Sequence, residues 1–152
     1  MDIILCGLHT VEAYGDPSDI IKNTRAVINM IRSQKIDIMV HLGNPQFPLE
    51  YELVVQEAVK AGVAIEINNS SLKNSRKGSR PNCKKILELC KKYEAMVSLG
   101  TDSHISYDIG EFKEAQLLIE EVGYPVESII NYSMENLDKF LENRRKKRVI
   151  KI

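Results

Sequence analysis

Apolar runs and helical patterns alternate along this chain with a period of about thirty residues. Ile3-Ile4-Leu5-Cys6-Gly7-Leu8 is a short apolar run and reads as a buried strand. Asp16-Pro17 then opens a helix, with Asp16 as N-cap and Pro17 in the first helical position. Ile20, Thr24, Val27, Ile28 and Ile31 keep one apolar face over that helix. Ile36-Asp37-Ile38-Met39-Val40 is the second strand, followed by a polar turn containing Pro45 and Pro48. The spacing of Val54, Val55, Ala58 and Ala61 predicts a helix over about 49–61, with Gly62 as its stop. Val63-Ala64-Ile65-Glu66-Ile67 is the third strand, and a long Asn/Ser/Lys/Arg loop covers 68–80. Pro81 starts a helix whose apolar face is Ile86, Leu87, Cys90 and Tyr93, and Met96-Val97-Ser98-Leu99 is the fourth strand. A helix near 111–122 follows, Ser128-Ile129-Ile130 is a very short fifth strand, and Ser133 caps a last helix over 134–146.

Continuous apolar strands alternating with helices mean an α/β fold, a parallel sheet with helices packed outside it. Four or five such units are present, enough for an open twisted sheet or for part of a barrel. The chain has 152 residues, which fits a single domain over 1–152. A complete eight-unit βα barrel needs about 250 residues. Hydrophobic residues make up 43% and charged residues 28%, and 21 basic residues balance 21 acidic ones. That neutrality argues against a nucleic-acid coat or a polybasic membrane binder, and no apolar run approaches a membrane span. Residues 1–20 carry no Lys or Arg, so they lack the charged start of a signal peptide. Cys6, Cys83 and Cys90 are odd in number and form no CxxC pair, which excludes a disulfide framework and a zinc knuckle and suits a reducing cytoplasm. The basic run Arg144-Arg145-Lys146-Lys147-Arg148 reads as a solvated helix end, where cations suit the helix dipole.

In either parallel architecture chemistry gathers at the carboxyl ends of the strands. All three histidines fall there: His9 after the first strand, His41 after the second, His104 after the fourth. Asp102 also follows the fourth strand. Imidazoles and a carboxylate converging on one rim suit metal coordination. Glu66 and Asn68 share a face of the third strand and could orient His41 from behind. The loop Ser75-Arg76-Lys77-Gly78-Ser79 offers a guanidinium fork and backbone amides, a common way of holding phosphate. There is no G-x-G-x-x-G, no Walker A pattern and no G-x-S-x-G elbow, so nucleotide-loop and serine-nucleophile chemistries drop out.

Val40-His41-Leu42-Gly43-Asn44-Pro45, Glu66-Ile67-Asn68-Asn69-Ser70-Ser71, Ser75-Arg76-Lys77-Gly78-Ser79 and Gly100-Thr101-Asp102-Ser103-His104 resemble, in order, the motifs of PHP (polymerase and histidinol phosphatase) domains, with the nearest likeness to the short bacterial zinc-phosphatase branch. The likeness runs from near residue 2 to near residue 140 and is to the C-terminal portion of that domain. It implies a distorted βα barrel, here a partial one of four to five parallel strands with outer helices, and a divalent-metal site, zinc above all, with manganese or iron as alternatives. It implies His9 and His41 as ligands of one metal, Asp102 of a second and His104 of a third. Arg76 and Lys77 would contact phosphate, with Asn68 and Ser75 beside them, and Arg76 and Asp102 would take the catalytic roles. The family's HxH strand, two further histidines and a bridging glutamate have no counterpart in this sequence.

Three functions follow as expectations. The first is a metal-dependent phosphatase acting on a small phosphate ester, either alone or only as the C-terminal part of a split or truncated enzyme. There the metals polarise the phosphoryl group and activate a water, no protein general base being visible. The second is a non-catalytic half-barrel that binds a phosphorylated ligand or assembles with a partner. An open barrel leaves strand edges that need cover, so a homo-oligomer or a complex with a separate N-terminal chain is expected. The third is a metal-dependent amide or ring hydrolase, against which the Arg76 loop argues.

Overall fold

The computed structural model describes residues 3–10 and 12–149. Four strands form one sheet: β1 (Leu5–Cys6), β2 (Ile38–Met39), β3 (Ala64–Asn68) and β4 (Val97–Gly100). They lie in the order β1-β2-β3-β4, every pair parallel. The helices are α1 (Ile20–Arg32), α2 (Tyr51–Ala61), α3 (Asn69–Lys73), α4 (Ser79–Lys92), α5 (Lys113–Val122) and α6 (Met134–Val149). Each connection moves one strand further in the same direction. With right-handed crossovers this places the connecting helices on one side of the sheet. Accordingly α1 packs on α2, α2 on α4 and α4 on α5. This is the winding of a barrel wall, with no reversal of strand order.

The helix-side layer is the main core. Met39, Ile65, Ile67 and Val97 from the strands meet Val27, Ile31, Val54, Val55, Ala58, Ile86, Leu87, Cys90 and Leu118 from the helices. Cys83 and Cys90 are both buried along α4. The opposite face of the sheet changes character along its length. At the amino ends Ile38 and Ala64 pack with Ile130 and Phe140, with Val40 and Met96 against them. At the carboxyl ends the same alternation presents Glu66, Asn68 and Ser98. Helix α6 therefore covers the lower half of that face and leaves the polar rim clear.

Several boundaries differ from the sequence expectation, each for a local reason. Asp19, not Asp16, caps α1, its carboxylate accepting the Lys22 N–H at 3.0 Å. Asp16 instead closes a tight turn on the Ser18 N–H and hydroxyl. Helix α4 begins at Ser79, two residues before Pro81, which its first turn tolerates because no intrahelical partner awaits that N–H. The expected fifth strand reduces to a single parallel bridge between Val97 and Ile129, preceded by a 3-10 turn over Val126–Ser128. Gly62 and Ser133 do act as expected. Gly62 ends α2 with φ +67°, and the Ser133 hydroxyl accepts the Asn136 N–H.

The basic run near the end of α6 is not uniformly solvated. Arg144 is buried, donating to the Asp37 carboxylate at 3.0 Å, the Gln34 side chain at 3.0 Å and the carbonyl of Ala61 at 2.8 Å. Asp37 in turn accepts the Ile4 N–H at 2.7 Å. One ion pair thus ties α6 to β1, to the start of β2 and to the end of α2. The Arg148 side chain lies outside the described residues.

Candidate functional site

The carboxyl rim collects one residue of interest from each strand end. His41 follows β2 with a left-handed backbone, φ +41°, and Asp102 follows β4 with φ +51°. Residues other than glycine adopt this conformation uncommonly, and it concentrates where a side chain must be aimed. The His41 N–H donates to Glu66 Oε2 at 2.8 Å. Glu66 therefore holds the backbone of His41 and not its ring, which the sequence had suggested. Two glycines make the room. A Cβ on Gly7 would lie 2.5 Å from His41 Cε1, and one on Gly100 would collide with the Glu66 carboxylate. Gly7, His41, Glu66 and Gly100 form a row across all four strand ends.

His9, in the segment after β1, turns its ring edge-on to His41 with centroids 4.7 Å apart. Their Nε2 atoms face each other at 3.1 Å. Burial foremost, helped by the nearby charges of Arg76 and His9, pushes the His41 pKa down to about 4, so its imidazole is neutral at neutral pH, as ligation requires. Two imidazole nitrogens on one tetrahedral zinc, with bonds of about 2.0–2.1 Å, stand about 3.3 Å apart. The pair fits two positions of such an ion. Among the described residues, no group of three or more His, Cys, Asp or Glu side chains comes together to complete a cation site.

The remaining residues form a second cluster. Asn68 ends β3 and caps α3, its Oδ1 accepting the Ser71 N–H at 2.8 Å and the Ser71 hydroxyl at 2.9 Å, while its Nδ2 donates to Glu66 at 3.3 Å. The Asn68 carboxamide is thus occupied within the protein. The Ser71 hydroxyl passes this order on to Arg76, accepting from Nη1 at 2.9 Å. Arg76 Nη1 also donates to Asp102 Oδ2 at 2.8 Å and to the Ser75 hydroxyl at 3.3 Å. Burial disfavours a charged Asp102, but the Arg76 hydrogen bond and charge outweigh it, and the carboxyl stays below its ordinary pKa. Glu66 goes the other way. Burial raises its pKa, only partly offset by the His41 N–H and Asn68. Nε and Nη2 of Arg76 have no hydrogen-bond partner among the described residues, so one edge of the guanidinium is available to a ligand.

The structure therefore brings the four expected metal ligands together as two pairs. His9 sits on His41, and His104, largely exposed, stands 4.0 Å from Asp102. The Ser75 hydroxyl accepts from Arg76 Nη1, whereas Lys77 is exposed on the loop. Sequence reasoning missed Ser71 and the two glycines. The Asn68-x-x-Ser71 spacing is a cap signal that could have found the first. No sequence pattern marks the glycines, because their role is defined by side chains on neighbouring strands.

Beside Arg76 lies an open cavity of about 340 Å³, lined by Asn69, Ser70, Lys73, Asn74 and Ser75 from the β3–α4 connection and by Thr101, Asp102, Asp108 and Glu111 after β4.

No family model matches the chain. A protein of Clostridium botulinum named "Probable phosphatase" is 42% identical over 146 residues, 96% of this chain and 59% of that protein. A "Probable phosphatase" of Shewanella sp. strain MR-4 is 44% identical over 149 residues, 98% of this chain and 58% of that protein. The chain thus spans about three fifths of the length of the curated relatives it matches. Among solved structures, the histidinol phosphate phosphatase of Lactococcus lactis, crystallised with zinc, L-histidinol and phosphate, superposes with a TM-score of 0.59 at 14% identity, over 82% of this chain and 57% of that one. A chain from archaeal ribonuclease P with mature tRNA gives the same TM-score at 21% identity, over 95% of this chain and 58% of its own. At such identities these two share the fold.

Proposed function

We propose that this chain carries part of the active site of a metal-dependent phosphatase that hydrolyses a small phosphate ester. The observation that carries the proposal is the presence, on one rim, of two imidazole nitrogens 3.1 Å apart and of an arginine held against Asp102 with Nε and Nη2 unengaged among the described residues. The relatives named as phosphatases support it, since the likeness extends over nearly the whole chain. His9 and His41 would hold one divalent cation, zinc before manganese or iron. Asp102 and His104 would serve further ones, with donors from outside the described residues. A divalent cation there supplies charge that polarises the phosphoryl oxygen and acidifies water.

The chain's own residues do the rest. Arg76 is preset by Ser71, Ser75 and Asp102, so its Nε and Nη2 donors can take two phosphate oxygens in a fork and neutralise charge that grows there. Ser75 adds a hydroxyl at the same place, and Lys77 adds charge nearby. Asn68 acts through Ser71 and Glu66, fixing the shelf on which Arg76 and His41 stand. Glu66 holds the His41 backbone so that its ring meets His9.

A second reading, a half-barrel that binds a phosphorylated ligand or partner without turning it over, is favoured by one fact: among the described residues no more than two metal donors meet in each pair. One experiment separates the two. The protein, loaded with Zn²⁺ or Mn²⁺, is assayed on an aryl phosphate and its metal content measured. Catalysis predicts turnover, with His41→Ala and Asp102→Ala each losing about a hundredfold or more. Inert protein that still binds phosphate esters supports the second reading, and a protein that takes up no zinc, manganese or iron removes the first.

A further inference from the structure

The cavity beside Arg76 has a lining that specifies what it can hold. Not one of its nine lining residues is aliphatic or aromatic, so it offers nothing on which a base or an aryl ring could stack. Its volume lies at the lower end of small-molecule sites, about 300–1,000 Å³. Two of its residues, Ser75 and Asp102, also accept from Arg76 Nη1, so the cavity adjoins the arginine assigned to phosphate.

One lining residue is set in place from behind. Asn69 is buried, and its Oδ1 accepts the Ala115 N–H at the start of α5 at 2.9 Å. That bond fixes which way the carboxamide faces. It leaves the Nδ2 donor without a partner among the described residues, in a residue that lines the cavity. That donor is open to the cavity, where water or a ligand can accept from it. Around it stand hydroxyls from Ser70 and Thr101, a carboxamide from Asn74, an ammonium from Lys73 and carboxylates from Asp108 and Glu111. The lining holds both donors and acceptors. The carboxylates outnumber the one ammonium, which disfavours a second anionic group on the ligand.

We infer that this cavity is the subsite for the alcohol half of the substrate, and that it takes an uncharged, polyhydroxylated group of sugar size carrying a single phosphate. Each sugar hydroxyl both donates and accepts, which is what a mixed lining of this kind rewards and an aryl group forfeits. Asn69 and Asp108 are its specificity-determining residues. The inference rests on the phosphatase reading of Arg76 and adds the substrate class to it.

Chemical-shift titrations of the protein with inorganic phosphate, glucose 6-phosphate, phenyl phosphate and phosphoethanolamine test it. Glucose 6-phosphate is expected to bind at least tenfold more tightly than phenyl phosphate. Asn69→Ala is expected to weaken glucose 6-phosphate at least fivefold while leaving inorganic phosphate within twofold. Asp108→Ala, on the surface 3-10 turn Ser106–Asp108, carries the same expectation should Asn69→Ala fail to fold. Equal binding of phenyl phosphate overturns the inference. So does tighter binding of phosphoethanolamine, which would assign the carboxylates to an amine, and so does a variant that weakens both phosphate and sugar phosphate alike. Inorganic phosphate that fails to bind, or binds regardless of Arg76→Ala, sinks the underlying phosphatase reading instead and takes the inference with it.

Discussion

Gly7 has no side chain because the His41 ring occupies the place one would fill. The Gly7→Ala variant brings a methyl group to 2.5 Å from Cε1 of that ring, and Val40 blocks the other way out. The imidazole must then turn from His9, while the strand pairing that builds the sheet stays intact. We expect Zn²⁺ affinity to fall by about tenfold or more, the scale on which displaced metal ligands register, with the thermal midpoint little changed. A competitive zinc titration beside a melting curve checks this, and unaltered zinc affinity would show that the imidazole pair is not the donor set. At this scale the sequence spoke clearly about residues whose chemistry is intrinsic. His9, His41, Asp102, His104 and Arg76 were legible because their side-chain types and their place after strands already imply what they can do. Gly7, Gly100 and Ser71 were not, since each matters only through a neighbour that the chain order does not reveal.

At the scale of elements, α6 shows what binary patterning can and cannot give. Its existence and its Ser133 cap were legible, but its weakly patterned, charge-rich sequence gave no sign of which face docks. The docking is carried by Phe140 on the apolar side and by Arg144, whose guanidinium reaches Asp37 in a site from which water is excluded. Helix α3 escaped notice for the converse reason: Asn69–Lys73 has no apolar period, and the Asn68 cap with Ser71 forms it locally. Removing one partner of a buried pair leaves the other charge unsatisfied, at a cost of about 3–5 kcal/mol. Arg144→Met is therefore expected to lower the melting temperature by about 10 °C, taking about 2–4 °C per kcal/mol for a domain of this size. Asp37→Asn in the same chain should recover part of that loss by removing the stranded charge. An Arg144→Met protein that melts with the wild type would show that α6 is held by Phe140 and its neighbours alone.

The whole molecule is an arc with two unequal edges. Beyond β4, the Ile130 N–H donates to the Val97 carbonyl at 2.8 Å. The Asn131 carboxamide then accepts from the Leu99 N–H at 3.0 Å and donates to the Leu99 carbonyl at 2.8 Å, standing in for a strand's peptide group. That edge is closed. At the other, among the described residues, β1 pairs with β2 alone, and Leu5 is 59% exposed. An uncovered edge strand bearing an exposed apolar residue is a template for pairing with another chain. The winding of strands and helices was legible from their alternation. Which edge stayed open was not, because it depends on a carboxamide 32 residues from the backbone it serves. We expect the protein to associate through β1, with itself or with a chain that supplies further strands and donors to the His9–His41 rim. Light scattering should then give a mass above the 17.3 kDa of one chain. Leu5→Lys puts a charge on the edge without entering the core, so it should return the protein towards a single chain at unchanged melting temperature. A wild type that stays monomeric at high concentration would leave β1 blunted by its two-residue length, and self-association would no longer be needed to explain how the arc survives in water.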